Sequence, residues 1–382
     1  MRRFTKRRYG VGLVALALLG AAGCSTSSED TGDVVTVTGD AESATQETAG
    51  FSIRGTIESL PRPTEPSYPI AVGDLEAGAA AMGLQAPETV DERRDWMMAL
   101  AVAGPDTAVT FLLPRDLSSD TGVAEEPELG LDITQVSSVA EVGLQPDAVV
   151  LSGDFDEDTL SPDLVDLGDG VVSAGEGEDG YSDLEARTVL RPLGQPLRVA
   201  QDGDRIMLSG NTRTAQNWLT GQGPTLADEE AVLETADQLD ALGAISGYFL
   251  VQPGGGAGME ALLGESASPE QVEQELSEME QSSITTPFGV VAVGTTVEGT
   301  AVQDMVVYHF GSEAVAQDAV EEVERAWNDA QLAQGQPVVE MFSLDEVRAE
   351  GSTVIAVLDR EEARSDTLTM MLVSRDGPLN YL

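Results

Sequence analysis

The sequence predicts an α+β fold, in which antiparallel, hairpin-rich sheets pack with helices. Three observations carry this. Short apolar stretches recur around tight turns, and the clearest hairpin is Pro196–Ala200, a turn at Asp202-Gly203, then Arg205–Leu208. Other stretches bring apolar residues round at helical spacing behind recognisable caps. Neighbouring strands are joined by hairpins and not by strict strand–helix alternation, which favours antiparallel over parallel sheet. Hydrophobic residues make up 41% of the chain and aromatics 4%, so the core is expected to consist mainly of Val, Leu, Ala and Met. A loose order of hairpin then helix occurs twice. Two similar lobes, 51–222 and 223–382, are therefore expected to meet near Gly221-Gln-Gly-Pro224, without a residue-level repeat.

In chain order, Phe51–Ile57 alternates and predicts a strand, followed by a Pro-rich connection over Pro61–Pro69. Thr89-x-x-Glu92 is a capping box ahead of Trp96, Met97, Leu100 and Ala101, and Gly104-Pro105 ends that helix. Thr107–Leu113 and Ala148–Ser152 read as strands. Asn211 opens a helix carrying Ala215, Trp218 and Leu219, and Ala244–Val251 is the next strand. Ser268-Pro269-Glu270 starts a helix with Val272, Leu276 and Met279 on one face. Strands are expected over Phe288–Thr295, Thr300–Phe310 and Thr353–Leu358. Between the last two, Ser312 caps the longest helix, with a stripe of Val315, Ala319, Val320, Val323 and Trp327.

The first residues have a different character. Arg2, Arg3, Lys6, Arg7 and Arg8 precede an apolar run from Val11 to Leu19, and Gly20-Ala-Ala-Gly23 leads to Cys24, the only cysteine. The apolar run falls well short of the ~20 residues a membrane span needs, and its flanks are those of an export signal. Ala21-Ala-Gly-Cys24 resembles the lipobox of bacterial lipoproteins. The resemblance implies a signal peptide over 1–23, an acyl anchor of palmitate type on Cys24, and a location on the extracytoplasmic face of the cell membrane. Residues 24–50 are Ser, Thr, Gly and acid with little to bury, and read as a disordered tether. One cysteine permits no internal disulfide.

Charge narrows the partners. Five of the 20 Lys and Arg precede Cys24 and all 67 Asp and Glu follow it, so fifteen cations face 67 acids and the chain beyond Cys24 has a formal charge of −52. Such a body is repelled by phosphate backbones, and nucleic acid is not an expected partner. Anionic lipid heads repel it as well. The membrane contact is expected through the acyl group, and the remaining partner is an envelope protein or ligand that the sequence does not name.

The search for chemistry returns mostly exclusions. Lys6 is the only lysine, so no Walker A lysine, Schiff base or Ser-Lys pair exists beyond Cys24. His309 is the sole histidine and reads as a sheet position, which removes HExxH and His-paired zinc sites. Gly175-Glu-Gly-Glu-Asp-Gly180 matches G-x-G-x-x-G in form, but its acids would repel a pyrophosphate and it reads as a turn. Pro253-Gly-Gly-Gly-Ala-Gly258 follows a strand and precedes Met259–Leu263, an order that could cradle an anion. Trp96, Trp218 and Trp327 all lie on apolar helix faces and are assigned to core packing.

Asp154, Asp156 and Asp158 alternate like the opening of a calcium loop, though Thr159 and Val165 stand where that loop needs Gly and Glu. The reading is a plain turn in which an Asp caps a short helix over Glu157–Leu160, with no cofactor expected; calcium at the three acids is the alternative. The expected function is a non-enzymatic, membrane-anchored binding or interaction module of the cell envelope. The alternatives are a solute-binding lipoprotein of a transporter and a carboxylate-dependent hydrolase.

Overall fold

The structure, a computed structural model, describes residues 50–103, 107–111, 113, 127–143, 148–252, 283–299, 301–332 and 334–379. Its first part runs α1 (Ile53–Ile57), β1 (Tyr68–Asp74), α2 (Leu75–Ala81), α3 (Val90–Ala101), β2 (Val136–Val142), β3 (Ala148–Gly153), β4 (Val165–Asp166), β5 (Val171–Ala174), β6 (Leu197–Asp202), β7 (Arg205–Ser209) and α4 (Thr212–Thr220). The second runs α5 (Glu230–Ala241), β8 (Ser246–Val251), β9 (Val290–Glu298), β10 (Ala301–His309), α6 (Glu313–Asp329), β11 (Phe342–Glu350), β12 (Thr353–Arg360) and α7 (Thr367–Ser374). The α+β class and its antiparallel, hairpin-built sheet are as the sequence predicts.

The twelve strands form one sheet in the order β11-β12-β10-β9-β8-β1-β2-β3-β7-β6-β5-β4, and every pairing is antiparallel. This order contains a repeat. Outward from the centre, β1-β2-β3-β7-β6 and β8-β9-β10-β12-β11 follow one succession, and β1 pairs with β8 at Ile70↔Phe249. The sheet thus crosses the boundary expected at 222/223 without a break. The last hairpin of each set turns on two residues, Gly203-Asp204 and Gly351-Ser352. Their glycines, at φ +61 and +57, supply the left-handed conformation such turns require.

A helix precedes the first strand of each set, and α1 packs on α5. The Asp240 carboxylate of α5 accepts from Ile53 N at 2.6 Å, Arg54 N at 3.1 Å and Ser52 Oγ at 2.7 Å, which satisfies the open amides at the start of α1. Both helices cover the sheet face where Ile53, Ile57, Ile70, Val232, Phe249 and Val307 share one cluster. The opposite face holds two clusters. One lies under α6 and α7 around Trp327 and Tyr308, the other under α2 and α3 around Phe111 and Leu151.

Several local expectations are corrected. Phe51–Ile57 is not a strand: Ile53 and Ile57 sit at i, i+4, and Ser52 caps Gly55 N. Burying Ile53, Ile57 and Leu60 fully, at roughly 1.5–3 kcal/mol each, outweighs the poor propensity of a five-residue helix. The Pro61–Pro69 connection ends early, because β1 starts at Tyr68. Pro69 carbonyl oxygen accepts from Gly143 N, so its missing N–H would point to the same side, beyond the first β1–β2 pair at Ile70↔Val142.

The described residues of Thr107–Leu113 form no strand. Arg360 donates to Ala108 O at 3.0 Å and Thr107 O at 3.4 Å, taking carbonyls a ladder would need, and Phe111 plugs the α2–α3 cluster. Nor is Glu157–Leu160 a helix, since Asp156 closes a turn instead. The stripe of the longest helix keeps Ala319, Val323 and Trp327 buried with Val320 half-buried, gains Ala316 and Ala326, and loses Val315, which is exposed. The helix expected after Ser268, the loop Pro253–Gly258 with Met259–Leu263, the terminator Gly104-Pro105, the leader, Cys24 and residues 24–49 lie outside the described residues.

Candidate functional site

The acids that alternate like a calcium loop lie in one exposed turn, which a single carboxylate oxygen, Asp156 Oδ1, helps to close. Asp156 Oδ1 accepts from Asp158 N at 3.0 Å and Thr159 Oγ1 at 3.0 Å, while Asp156 N donates to Thr159 Oγ1 at 2.8 Å. Asp154 N donates to Gln135 O at 2.8 Å. Among the described residues, no three Asp, Glu, His or Cys side chains stand close enough to share a metal ion.

His309 ends β10 as a nearly buried sheet residue. Its Nε2 bonds Glu234 Oε2 at 3.0 Å, and its Nδ1 accepts from Gly311 N at 3.3 Å. Ser352 Oγ donates to the same Glu234 oxygen, so both hydrogen bonds converge on the carboxylate and the serine does not reach the imidazole. Hydrogen bonds from Ser352 above all, and from His309, hold the Glu234 carboxyl below its usual range against a smaller opposing effect of burial.

The glycine stretch at 175–180 wraps a cation of the protein itself. Arg198, 2% exposed on β6, donates through Nε to Asp179 Oδ1 at 2.8 Å, through one terminal nitrogen to Ser173 Oγ at 2.6 Å and through the other to Gly177 O at 2.8 Å. Asp179 also accepts from Thr212 N at 2.9 Å and Thr212 Oγ1 at 2.7 Å, which ties the turn to the first residue of α4. Burial would raise the Asp179 pKa, but the Thr212 and Arg198 hydrogen bonds outweigh it and hold the carboxyl low.

This framework fixes one wall of a groove of about 780 Å³, lined by Pro63, Asp179, Leu190, Leu193, Pro196 and Asn211 among others. Arg191 stiffens the same wall through Nε to Glu128 Oε1 at 2.7 Å, and Thr188 Oγ1 donates to Glu128 Oε2 at 2.5 Å. Beside the groove lies a smaller cavity of about 290 Å³; the two share Pro61, Arg62 and Thr214.

The cavity is built by α4 and the turn that follows it. Asn211 caps the helix through Oδ1 to Thr214 N at 3.1 Å; Ala215 is buried, and Trp218 and Leu219 pack partly on the shared core. Gly221 ends the helix, and the chain returns through Pro224, whose carbonyl accepts from Arg62 N at 3.1 Å. Trp218 forms part of the lining. The Arg205 guanidinium lies over its ring, 5.1 Å from the centroid, and donates to Ser59 Oγ at 3.3 Å. Trp218 Nε1 is buried without a hydrogen-bond partner. Arg62 pairs with Glu229. The two charged residues of the lining are Arg62 and Arg205, and it contains no carboxylate. Close by, burial, followed by the charge of Glu229, pushes the Tyr68 phenol up to about 12 despite Arg62.

Assigning Trp218 to core packing was half of its position; its other half faces the cavity. A sequence signal was available. With fifteen arginines beyond Cys24 dispersed among 67 acids, Pro61-Arg62-Pro63 and an arginine one strand ahead of a tryptophan are unusual local chemistry. The pairing of Arg205 with Trp218 needs the turn from β7 into α4 and is visible only in the fold.

No helix among the described residues is long and apolar enough to cross a membrane. No protein-family model matches the chain, and no curated protein matches it. Among solved structures, crystal form I of TP0453 is similar over 84% of this chain and 97% of that one, at 10% identity and a TM-score of 0.34, a similarity too slight to guide function.

Proposed function

We propose that the chain is a lipid-anchored envelope protein of the extracytoplasmic membrane face that acts by binding, and that the groove with its adjoining cavity is its binding surface. The observation that carries this reading is the cavity lining: Arg62 and Arg205 beside the apolar surfaces of Pro61, Pro224 and Trp218 and no carboxylate, in a protein whose charge is overwhelmingly negative. Size supports it as well, because small-molecule sites occupy roughly 300–1,000 Å³ and join apolar walls to a few polar groups. The ionisable groups of the groove are held in structural pairs, Asp179 by Arg198 and Thr212 and Arg191 by Glu128, which suits a surface that holds a ligand more than one that moves protons.

Two measurements test it. Cys24→Ser is expected to release the chain from the membrane fraction or leave its leader uncleaved; unchanged detergent partitioning removes the anchor. Native mass spectrometry of the chain, extracted from its own membrane in mild detergent, is expected to retain a ligand adduct that Leu193→Asp loses. An adduct that persists in Leu193→Asp removes the groove as the site.

A further inference from the structure

The two ends of the sheet are unequal. β4 closes one end with two residues, whereas β11 closes the other with nine. The hairpin of β11 and β12 fixes which backbone groups of the long edge remain free. Phe310 N donates to Ser352 O, so alternate residues of β12 from Ser352 onward turn their polar groups to β10, while Thr353, Ile355 and Val357 turn theirs to β11. Their partners Glu350, Arg348 and Glu346 are spent inside the hairpin, and the N–H and C=O of Val347 and Ala349 point outward. Among the described residues, no hydrogen bond reaches these outward groups.

The other half of the molecule shows what this position accepts. The counterpart of β11 in the strand succession is β6, and β5 pairs antiparallel along its outer edge from Val171↔Ala200 to Ala174↔Leu197. The scaffold thus takes one more antiparallel strand where β11 has none, and an open edge is a template for such a strand.

The side chains select the strand. Val347 and Ala349 lean on the cluster under α6, and Glu346, Arg348 and Glu350 share the opposite face. Arg348 already pairs with Glu346 at 2.6 Å and lies 3.9 Å from Glu350, which holds its guanidinium on that face. The run Glu346-Val-Arg348 is its own complement when a second β11 runs antiparallel about Val347. Val347 then faces Val347 of the second copy, and each Glu346 faces an Arg348. Every charge of this square has an opposite charge beside it on its own strand and another across the ladder. Moving the two-fold axis by one residue sets Glu346 against Glu346 or Arg348 against Arg348.

We propose that β11 is a self-pairing edge: two copies of the chain join through an antiparallel β11–β11 ladder centred on Val347, which carries the sheet from one molecule into the other. The long-range fields of two bodies with 67 acids and 20 cations each oppose this approach. Pairing is therefore expected to strengthen as salt shortens the Debye length to about 8 Å, since screening relieves the repulsion between the bodies more than it weakens four charges in contact.

The test traps the register by oxidation of the full chain in detergent, with the parent chain as the background for Cys24. Val347→Cys is expected to give a reducible band of twice the mass, because facing Cα atoms of a hydrogen-bonded pair lie about 5.5 Å apart. Ala349→Cys, about 14 Å from its own copy in this register, is expected to give about tenfold less. In the Val347→Cys chain, Arg348→Glu or Glu346→Arg alone is expected to lose the band. The two together reverse the signs of the square and are expected to restore it. Melting temperatures close to the parent's separate a lost contact from a lost fold.

No band with Val347→Cys at any salt concentration, equal bands at 347 and 349, or a double exchange that fails to restore the band overturns the self-pairing edge. If Val347→Cys traps no second copy in the purified chain but traps another protein in intact membranes, the edge takes a foreign strand and the proposal is likewise overturned.

Discussion

The two halves of the sheet share one strand succession and differ in what connects their third and fourth strands. In the second half, β10 reaches β11 through α6, whose Ala316, Ala319, Val323, Ala326 and Trp327 close over the sheet. In the first half, β3 reaches β6 through residues 154–196, which form only β4 and β5 and leave Tyr181 (61%), Leu184, Val189 and Leu193 (54%) exposed. The same scaffold is sealed where the connection repeats its apolar residues at 3.6 and stays open where Gly, Pro and Asp interrupt any period. The groove lies in the open half. Site and core are thus alternative uses of one topological position.

The largest test of this contrast is a pair of truncations. Trp327 is 2% exposed, and its Nε1 donates to Tyr308 Oη at 3.1 Å, which in turn donates to Pro378 O at 3.1 Å. Trp327→Ala is expected to cost about 3–5 kcal/mol in denaturant unfolding. Leu193→Ala is expected to stay within ~0.5 kcal/mol. Similar losses would mean that residues 154–196 are core in the same sense as α6.

Arg198→Met probes the one buried device in the open half. It leaves Asp179 without its guanidinium and is expected to cost about 3 kcal/mol, with faster amide exchange at Gly177 and Thr212 and no change around Trp327. Faster exchange at both ends of the molecule would show that the halves do not open separately.

Acid should act on the halves with opposite sign. Burial would raise the Glu322 carboxyl of α6, but hydrogen bonds from Thr285 and Thr286 hold it below 4.5. Its contribution is therefore complete above that value and disappears as pH falls through the lower folded pKa. Asp74, which caps α2 at Ala77 N, is raised above 3.8, first by burial; its contribution is complete below 3.8 and disappears as pH rises through the folded pKa. At pH 7, Glu322→Gln is expected to lose about 1 kcal/mol and Asp74→Asn to gain up to about that much. Both differences should shrink towards pH 3 in urea titrations. A Glu322→Gln deficit that persists unchanged at pH 3 refutes the assignment.

The smallest effect concerns the turn at Asp156. Asparagine can accept the same two hydrogen bonds, so Asp156→Asn should leave the melting temperature almost unchanged, with matched melts in sodium, magnesium and calcium superimposing. A rise specific to calcium that disappears in the variant would establish a site at Asp154, Asp156 and Asp158.

Caps and hairpins were legible in the sequence because they are local. Thr89, Asn211 and Ser312 cap the helices expected of them, and the hairpin expected at Asp202-Gly203 turns one residue later, on Gly203-Asp204. What was illegible depended on distant partners. Phe51-Ser-Ile-Arg-Gly-Thr-Ile57 suits period 2 as well as i, i+4, and Asp240, nearly two hundred residues away, helps to decide it. β2 reads Val-Ser-Ser-Val-Ala-Glu-Val and lacks a clean alternation, since it is buried on both faces of the sheet. The cavity gathers Ser59, Arg205, Trp218 and Pro224 from separate segments, and no spacing rule joins them.

The position of β1 bears on how the molecule meets force. Tension carried by the chain ahead of Ser52 reaches α1 first, which is clamped by Asp240 and plugged by Ile53 and Ile57. The next element in line, β1, is the seventh strand counted inward from the β4 edge and the sixth from the β11 edge, with β2 on one flank and β8 on the other. A strand at an edge peels off one hydrogen bond at a time; a strand held on both flanks must slide past two ladders together. A pull on the chain ahead of Ser52 would thus be taken up at the middle of the sheet, and it would reach β1 through Pro61–Thr64, which are part of the groove wall.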